Sequence, residues 1–382
     1  MNKAIIGLGF GDEGKGITTD YLCSQSDIPL VVRFSGGHQA GHTVYYNGKS
    51  HIFSNFGSGT LRGIPTYWSK FCTIDPVGIM NEFEVLLNIN IQPKLYIDKD
   101  SPITTIYDKL YNQETERKNQ HGSCGVGYSA TIEREKNHYH LTFGDLKYPS
   151  VFLKKLDLIK EYYEKRLSTH LGKLFVFEPN VEDPFLVACR DVIDSKYIIE
   201  GVSIYSMYHT DVIYEGSQGL MLDQNYGYFP HVTRANTGTK NLLKLLPKHH
   251  DIEYYLVTRA YQTRHGNGPI INEECSHNIK ENPEETNVTK EWQGNFRKTI
   301  LDVDQIRYAI SKDFQLSNSL SKKVLVVTCL DHIEDYKFTY NGKLENSVNE
   351  KEFLRKLSIY LQIRTVLASH SNDSKNFKKY SF

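Results

Sequence analysis

The chain has 382 residues and carries 45 basic and 45 acidic side chains, so its formal net charge is zero. This balance excludes a strongly basic surface that binds nucleic acid or anionic membranes through overall charge, but small charged substrates can still be met by local sites. No apolar run approaches the about 18 residues of a membrane-spanning helix, and the N-terminus has no signal-peptide core, so we expect a cytoplasmic protein with neither nucleic acid nor membrane as partner.

Cysteine spacing and chain organisation narrow the class further. The six cysteines are spread singly and form no C-x-x-C pair, which excludes a zinc ribbon or thioredoxin motif and is typical of reduced thiols in a cytoplasm. The length allows one large domain or two. Because the sequence contains no internal repeat, low-complexity tract or linker, we expect a single domain over residues 1–382.

Short apolar runs predict five β-strands along the chain. They are residues 4–8, 30–34, 211–214, 254–258 and 324–328. Near-continuous apolar runs of this length are typical of a parallel or mixed sheet covered on both faces, so the predicted class is α/β. Apolar side chains at helical spacing predict a helix over 151–166, and Asn341-Gly342 predicts a hairpin turn. The polar stretch 272–296 predicts a long loop of the kind that is usually functional.

The stretch directly after the first predicted strand is the most informative part of the sequence. Residues 9–16 read Gly-Phe-Gly-Asp-Glu-Gly-Lys-Gly. They nearly match G-x-x-x-x-G-K-[ST], in which backbone N–H groups and a lysine surround phosphate oxygens at a helix N-terminus. Gly16 replaces the hydroxyl residue that would bind Mg²⁺, so another oxygen ligand is needed, and Asp12 is the candidate. The plainer alternative is a glycine-rich turn with one exposed lysine.

Further motifs lie at or shortly after the ends of predicted strands. They are Phe-Ser-Gly-Gly-His-Gln-Ala-Gly-His-Thr at 34–43, Glu-Gly-Ser-Gln-Gly at 215–219, Gly-Tyr-Phe-Pro-His-Val-Thr at 227–233, Thr-Arg-His-Gly-Asn-Gly-Pro at 263–269 and Thr-Cys-Leu-Asp at 328–331. His42 can exchange a proton near neutral pH, Gln218 offers a bidentate amide after the 211–214 strand, and Asp331 can accept hydrogen bonds from an amino-imino base edge. Taken singly, each motif could be a solvated histidine, a turn or a helix cap.

Taken together and in this order, the motifs resemble those of the adenylosuccinate synthetases. The family's W-G-D-E-G-K-G is here Phe-Gly-Asp-Glu-Gly-Lys-Gly, its G-G-x-N-A-G-H-T is Gly-Gly-His-Gln-Ala-Gly-His-Thr, and its E-G-A-Q-G is Glu-Gly-Ser-Gln-Gly. Its G-T-Y-P-Y-V-T, T-R-V-G-x-G-P and T-x-L-D correspond to the motifs at 227–233, 263–269 and 328–331. The resemblance extends from about residue 3 to about residue 335 and continues more weakly to the end. It implies one α/β domain around a central, mostly parallel sheet flanked by helices, and a homodimer.

The resemblance also implies a reaction and a set of roles. Members of this family use GTP to phosphorylate the 6-oxygen of IMP and then displace that phosphate with the amine of aspartate. Asp12 would be the base that removes the N1 proton, and it would also bind Mg²⁺ together with the carbonyl of Gly41. His42 would be the acid that assists phosphoryl transfer, and Lys15 would hold phosphate. The implied nucleotide-binding residues are Gly11, Glu13, Gly14, Gly16, Thr328 and Asp331, the last on the guanine. The implied substrate-binding residues are Gln39, Cys124, Gln218 on the purine, Thr233 on the 5′-phosphate, His265 and Arg297.

The sequence departs from the family where substrates are recognised. The arginine-rich T-T-G-R-x-R-R loop that grips aspartate corresponds to Trp-Gln-Gly-Asn-Phe-Arg-Lys at 292–298, which retains only Arg297 and Lys298. Losing a bidentate arginine–carboxylate contact is a severe change for a dicarboxylic substrate. We therefore expect aspartate to bind weakly and a monocarboxylic or less acidic amine to serve at least as well, unless arginines elsewhere compensate.

Two other recognition surfaces are changed. The family's G-T-T-G-R-G at the IMP phosphate is Gly-Ser-Cys-Gly-Val-Gly at 122–127, and the arginine lent across the dimer interface corresponds to His138, with Arg134 nearby. The C-terminal T-G-P near the guanine is Ser-His-Ser at 369–371.

Three functions follow from this pattern. The first is a ligase with aspartate and IMP as the default pair, and the second is a specialised relative using another amine or oxo-substrate in a biosynthetic or nucleotide-modification pathway. The third is a nucleotide-binding paralogue without ligase activity. Retention of Asp12, Lys15, His42 and Gln218 counts against the third, because drift that changes recognition groups should not spare the reacting groups.

Overall fold

A ten-stranded sheet organises the structure. The computed structural model describes residues 2–119, 124–201, 211–246, 251–282 and 294–382. In chain order the strands are β1 Asn2–Gly7, β2 Pro29–Arg33, β3 His42–Tyr46, β4 Lys49–Phe53, β5 Thr66–Trp68, β6 Leu95–Asp98, β7 Ile198–Gly201, β8 Asp211–Gly219, β9 Ile252–Arg259, β10 Tyr261–His265, β11 Phe296–Asp302, β12 Lys322–Thr328, β13 Tyr336–Tyr340, β14 Lys343–Ser347, β15 Thr365–Ala368 and β16 Lys378–Ser381.

The order of strands in this sheet places the predicted strands at its centre. The order is β16-β15-β12-β9-β1-β8-β2-β5-β6-β7. Its neighbouring strands pair in parallel except β16, which runs antiparallel to β15. The five strands predicted from apolar runs are β12, β9, β1, β8 and β2, which are consecutive, and the prediction of a mostly parallel α/β sheet is confirmed.

Both faces of the central strands are covered. Ala4 and Ile6 of β1 belong to one buried apolar cluster, which also includes residues of β8, β9 and β12, whereas Ile5 belongs to a second cluster that contains Leu22. A third cluster packs β5, β6 and β7 against neighbouring helices. This two-sided burial is why β1 is apolar at successive positions rather than at alternate ones.

Ten α-helices surround the sheets within the described residues. They are α1 Lys15–Ser24, α2 Pro76–Asn88, α3 Ile106–Asn119, α4 Tyr128–Lys136, α5 Pro149–Leu171, α6 Asp183–Asp194, α7 Thr239–Leu245, α8 Val303–Lys312, α9 Phe314–Ser317 and α10 Glu350–Leu361. The helix predicted over 151–166 is α5, which buries Phe152, Leu156, Ile159 and Tyr163 at the expected spacing and is longer at both ends. In the described ranges, no helix has the length and apolar character needed to span a membrane.

A smaller four-stranded sheet, in the order β10-β11-β13-β14, carries the second half of the candidate site. The predicted hairpin joins β13 to β14, with Asn341 at φ 50° and Gly342 at φ 67°, as a two-residue turn with both φ angles positive requires. Antiparallel pairing of β10 with β11 sets Arg264 opposite Arg297 and His265 opposite Phe296.

Two sequence expectations about segment boundaries are corrected. Strand β8 continues to Gly219, so Gln218 lies within the strand and not after it. The stretch predicted as a loop over 272–296 is irregular in its described part up to 282, where Ile279 forms an isolated bridge with Ile333, but Phe296 already begins β11. Residues 283–293 of that prediction lie outside the described residues.

Candidate active site

The loop between β1 and α1 is held by a buried carboxylate of its own. Glu13 accepts hydrogen bonds at Oε1 from the backbone N–H groups of Gly9, at 3.0 Å, and Gly11, at 2.8 Å. Its Oε2 lies 2.6 Å from Nζ of Lys15, and both side chains are almost fully buried. Lys15, which the resemblance assigns to phosphate, is therefore already paired with Glu13, and a phosphate bound by this lysine would have to compete with that carboxylate.

Close packing around this loop leaves no room for a side chain at Gly219 and little room for one at Gly16. A Cβ at Gly219, the last residue of β8, would lie 2.1 Å from the Gly9 carbonyl oxygen and 2.3 Å from Glu13 Oε1. A Cβ at Gly16 would lie 3.0 Å from the Thr43 carbonyl oxygen and 3.1 Å from the His42 Cβ. The missing hydroxyl at position 16 thus has a structural reason, because β3 packs directly against the start of α1.

Asp12 lies at the tip of the loop in a left-handed conformation, with φ 60°. Nε of Arg259 donates to its carbonyl oxygen at 2.5 Å, and Nε2 of His265 lies 3.2 Å from Oδ2. Burial by itself would raise the pKa of Asp12, but the hydrogen bond from His265 and the charges of His265, Arg259 and Lys15 outweigh it, so this pKa lies below its ordinary value. The carboxylate is therefore ionised and able to accept a proton.

His42 is buried against a second carboxylate. Its Nδ1 lies 2.6 Å from Oε1 of Glu215, and its Nε2 lies 3.2 Å from the Ser217 carbonyl oxygen. Burial lowers the pKa of His42 despite the opposing effect of Glu215. The Glu215 carboxylate holds a proton on Nδ1, and Nε2 faces another acceptor, the Ser217 carbonyl oxygen. Nε2 can therefore exchange a proton with a ligand only by giving up its contact with Ser217.

Glu215 was not singled out as a functional residue from the sequence. It is fully buried in β8 and also accepts hydrogen bonds from the backbone N–H of Ser58, at 3.1 Å, and from the Ser58 hydroxyl. Burial opposes ionisation, but His42, the Arg33 charge and Ser58 together lower the pKa of Glu215 to about 2. A charged residue directly after the apolar run 211–214 is the signal that could have identified it, because a buried charge needs a partner.

Two glutamine side chains near the site have buried polar atoms that make no hydrogen bond to the described residues. Nε2 and Oε1 of Gln39, and Oε1 of Gln218, are buried and have no partner among the described residues. Buried amide groups are normally satisfied, so these atoms indicate a polar ligand or water at this position. Both residues were predicted to bind substrate.

The segments around Thr233 and Cys124 meet at the start of α4. Tyr128 donates to the Arg234 carbonyl oxygen at 3.4 Å, which brings the residues after Cys124 next to Thr233. Residues 122 and 123 of the altered motif lie outside the described residues. Arg134, which lies near His138 in the sequence, is fully buried and bonded to Asp108, so its guanidinium is not available to a partner subunit. His138, in contrast, is exposed.

The segment after β12 forms the predicted donor-base side. Thr328 is buried, and its hydroxyl donates to the Glu13 carbonyl oxygen at 2.8 Å, so it joins β12 to the loop between β1 and α1. Asp331 keeps 40% of its side chain exposed and lies 3.7 Å from Nε2 of His332. The backbone N–H of Leu330 donates to the Ser369 carbonyl oxygen at 3.1 Å, which places the altered 369–371 segment beside Asp331.

The predicted amine side is held mainly by contacts to backbone carbonyls. Nη2 of Arg297 donates to the Gly266 carbonyl oxygen, at 2.5 Å, and to that of Gly268, while Nη1 donates to Oε1 of Glu273 at 2.8 Å. Opposite it, Arg264 is buried, and burial together with the charge of Arg297 lowers the pKa of Arg264 to about 10. Nε of each arginine is buried without a partner among the described residues. Residues 292 and 293 of the predicted loop lie outside the described residues.

A match to a protein-family model shows which family the chain belongs to. The family model for adenylosuccinate synthetase matches residues 4–379. The chain belongs to the adenylosuccinate synthetase family. Members of this family are GTP-dependent carbon–nitrogen ligases of purine biosynthesis.

Individual adenylosuccinate synthetases resemble this chain over most of its length. The enzyme of Buchnera aphidicola subsp. Schizaphis graminum is 30% identical over 377 residues, which cover 94% of this chain and 84% of that protein. The enzyme of Thermoplasma volcanium is 27% identical over 368 residues, which cover 89% and 78%.

Two solved structures share the fold. Fully ligated adenylosuccinate synthetase from Plasmodium falciparum superimposes with a TM-score of 0.75 at 20% identity, covering 98% of both chains. Cyanophage S-2L succinoaminodeoxyadenylate synthetase, bound to dGMP and to dATP as an energy donor, superimposes with a TM-score of 0.65 at 14% identity, covering 99% of this chain and 95% of that one.

Proposed function

We propose that this adenylosuccinate synthetase-family member is a GTP- and Mg²⁺-dependent ligase that joins an amino acid to the 6-position of a purine nucleotide through a 6-phosphoryl intermediate. L-Aspartate and IMP are the default pair. We further propose that it acts in the cytoplasm as a homodimer of a single domain over residues 1–382. The observation that supports this proposal is the grouping of four predicted site residues near the carboxyl ends of β1 and β8, where open parallel sheets bind ligands. The four residues are Asp12, Lys15, His42 and Gln218. The charge of Lys15 acts on both Asp12 and His42, and His42 contacts Glu215 and Ser217, next to Gln218.

In the first step, the ionised Asp12 would accept the N1 proton of the 6-oxopurine while O6 attacks the γ-phosphorus and the bond to the β-phosphate oxygen breaks. Nε2 of His42 would meet the transferring phosphoryl group, and the Glu215 carboxylate on the other ring nitrogen would stabilise the imidazolium form. In the second step, the amine attacks C6, the bond from C6 to the phosphate oxygen breaks, and phosphate and a proton leave.

The residues present fit a magnesium ion bound together with phosphate. The described residues contain no group of three or more His, Cys, Asp or Glu side chains that could hold a metal by themselves. Mg²⁺ in nucleotide sites commonly takes only one or two protein oxygens and completes its shell with phosphate and water. Asp12 uses Oδ2 for His265, which leaves Oδ1, and Gly41 is exposed, so a carboxylate and a carbonyl oxygen are available. When bound, the ion would offset the charge that develops on the phosphate oxygens.

For the identity of the substrates, a second hypothesis competes with the default pair. Arg297 is the predicted carboxylate ligand, yet its Nη atoms already donate to Glu273 and to two carbonyls. This engagement favours the second candidate, a specialised paralogue with a different amine donor or oxo-substrate. The shared fold does not decide between them, because the cyanophage enzyme with this fold is bound to dGMP and dATP. A non-catalytic paralogue is the third candidate, and the ordered pairs at Asp12 and His42 count against it.

Phosphate release separates these candidates. The purified chain would be incubated with GTP, IMP and Mg²⁺ and with each of the twenty amino acids in turn, with Asp12→Asn as the inactive control. Release with aspartate alone supports the default pair, whereas release with another amino acid supports the specialised paralogue. No release with any amino acid, while GTP and IMP both bind, would contradict ligase activity on IMP.

A further inference from the structure

Two backbone contacts hold the loop that carries the predicted catalytic base. Nε of Arg259 donates to the carbonyl oxygen of Asp12 at 2.5 Å, and the Thr328 hydroxyl donates to the next carbonyl oxygen, that of Glu13, at 2.8 Å. Arg259 and Thr328 are opposite each other in the parallel pairing of β9 with β12. Asp12 has a φ of 60°, which a residue other than glycine keeps only where its surroundings impose it. The two contacts therefore help to fix the position of the Asp12 side chain.

The guanidinium of Arg259 is in turn held by a tyrosine hydroxyl. Nη1 of Arg259 donates to Oη of Tyr261 at 2.8 Å, and both side chains are more than nine-tenths buried. Arg259 is the last residue of β9 and Tyr261 the first of β10, so this contact spans the junction between the large sheet and the small one. The backbone N–H of Ala260, between them, donates to the Thr328 carbonyl oxygen at 2.8 Å. The position of Arg259 thus depends on the Tyr261 hydroxyl and on the end of β12.

The same hydroxyl contacts residues 328–332, the segment predicted to bind the purine base of GTP. Oη of Tyr261 lies 2.9 Å from Nδ1 of His332. A phenol oxygen can accept one hydrogen bond and take part in a second, so both contacts can exist at once. Nε2 of His332 lies 3.7 Å from Oδ2 of Asp331, the predicted ligand of guanine. The contacts therefore form one continuous series, which joins in order Asp331, His332, Tyr261, Arg259 and the backbone of Asp12.

We propose that Tyr261 is a positioning residue whose hydroxyl joins the 328–332 segment to the loop of the predicted base. Its contact with Arg259 holds Asp12 where the purine N1 proton is removed. Its contact with His332 makes that position depend on the segment that carries Asp331. The inference rests on the proposed ligase function and adds to it a residue that acts through Arg259 and that no sequence motif identified.

Substitutions at two points interrupt the series. Tyr261→Phe removes the hydroxyl and keeps the ring, and His332→Leu removes the ring nitrogens. His332→Asn is the rescue variant, because its amide offers a donor and an acceptor near the position of Nδ1. Tyr255→Phe is the matched control: Tyr255 lies in β9 and is also buried, and its hydroxyl donates to Oε2 of Glu253 at 2.7 Å, outside the series.

Steady-state kcat and the KM for IMP are measured on each protein with GTP and with L-aspartate, or with the amino acid that releases phosphate fastest in the screen above. We expect Tyr261→Phe to lower kcat about ten- to a hundredfold with KM within about twofold, because a misplaced reacting group slows the chemical step more than binding. His332→Leu should lower kcat about three- to tenfold, and His332→Asn should return it to within about twofold of the unmodified protein. The double variant Tyr261→Phe with His332→Leu should be no slower than Tyr261→Phe alone, because both changes act through one hydroxyl.

The outcomes separate this proposal from the proposed function. A kcat in Tyr261→Phe no lower than in Tyr255→Phe would show that Tyr261 has only a packing role and would overturn the assignment. Effects of the two single variants that multiply in the double variant would show that His332 acts by another route and would overturn the link to the 328–332 segment. No phosphate release by the unmodified protein would overturn the ligase function on these substrates, and the role of Tyr261 with it.

Discussion

The loop between β1 and α1 is held by a buried ion pair between Glu13 and Lys15, whereas the start of β11 is held by Arg297 contacts to two backbone carbonyls and the partly exposed Glu273. The first arrangement is sequence-specific in every part, because Gly219 must be small for Glu13 to fit. The second arrangement depends mainly on backbone carbonyl oxygens. These oxygens are present whatever side chains the surrounding surface residues carry.

This difference explains why one half of the site matches the family and the other does not. A change at Glu13 or Lys15 would leave an unpaired buried charge, which is strongly destabilising. A change near Glu273 costs little, because surface ion pairs contribute about 0–1 kcal/mol. The segment around Arg297 can therefore change without loss of the fold, while the loop around Glu13 and Lys15 cannot.

The largest expected effect is at Asp12. Asp12→Asn should reduce turnover by about 10²–10⁴-fold or more, because the base is lost. The fold should be kept, since asparagine tolerates the positive φ of this position and can still accept from His265. Turnover and thermal midpoint would be measured beside a control at a partly exposed aspartate, Asp335→Asn. Near-normal turnover would show that another group takes the proton.

The next effect concerns Glu215, the partner of His42, and the way in which the free energy of unfolding depends on pH through this residue. The pKa of Glu215 is about 2 in the folded protein against an ordinary value of 4.5, so its contribution is complete above pH 4.5 and is lost as the pH falls towards 2. Over this range the free energy of unfolding should fall by about 3 kcal/mol more in the unmodified protein than in Glu215→Gln.

Denaturant unfolding at a series of pH values measures this difference. The control is Glu281→Gln, whose side chain is 91% exposed and should follow the unmodified protein. Parallel curves for the unmodified protein and Glu215→Gln would mean that the pKa of Glu215 is not lowered in the folded protein.

The sequence predicted the central strands because they are buried on both faces and therefore apolar throughout. It missed the other five strands of this sheet, β5, β6, β7, β15 and β16, because segments of three or four residues give little periodicity. The glycine-rich loop and the histidine motif were recognisable as local patterns. The pairs that position them were not, since Glu215 is 173 residues from His42, and His265 belongs to the four-stranded sheet whereas Asp12 lies in the loop after β1 of the ten-stranded sheet. Such contacts depend on strand order, which a single sequence does not specify.

A smaller effect is expected at Asp331, which is predicted to bind the purine base of the phosphate-donating nucleotide. Asp331 can accept two hydrogen bonds from the N1–H and 2-amino groups of guanine, which adenine cannot supply. Asp331→Asn should therefore reduce the preference for GTP over ATP about ten- to a hundredfold. The ratio of kcat/KM for the two nucleotides measures this, with Glu334→Gln as the neighbouring control. Comparable kcat/KM values for GTP and ATP in the unmodified protein would contradict guanine recognition by Asp331.

The smallest effects should appear on the amine side, where two variants act in opposite directions. Arg297→Gln removes the predicted carboxylate ligand and should raise the KM of the amine about tenfold while leaving kcat nearly unchanged. Glu273→Gln removes the charge that Nη1 of Arg297 now contacts at 2.8 Å and should lower this KM by about two- to fivefold, because the guanidinium no longer has to leave a carboxylate. Steady-state kinetics on both variants tests whether Arg297 binds substrate or only fastens the 266–268 carbonyls. If Arg297→Gln leaves KM unchanged but lowers the thermal midpoint, the residue is purely structural.

A sub-millimolar KM for aspartate with ordinary turnover in the unmodified protein would show instead that the altered loop is compensated elsewhere. In that case the two halves of the site would both keep the function of the family.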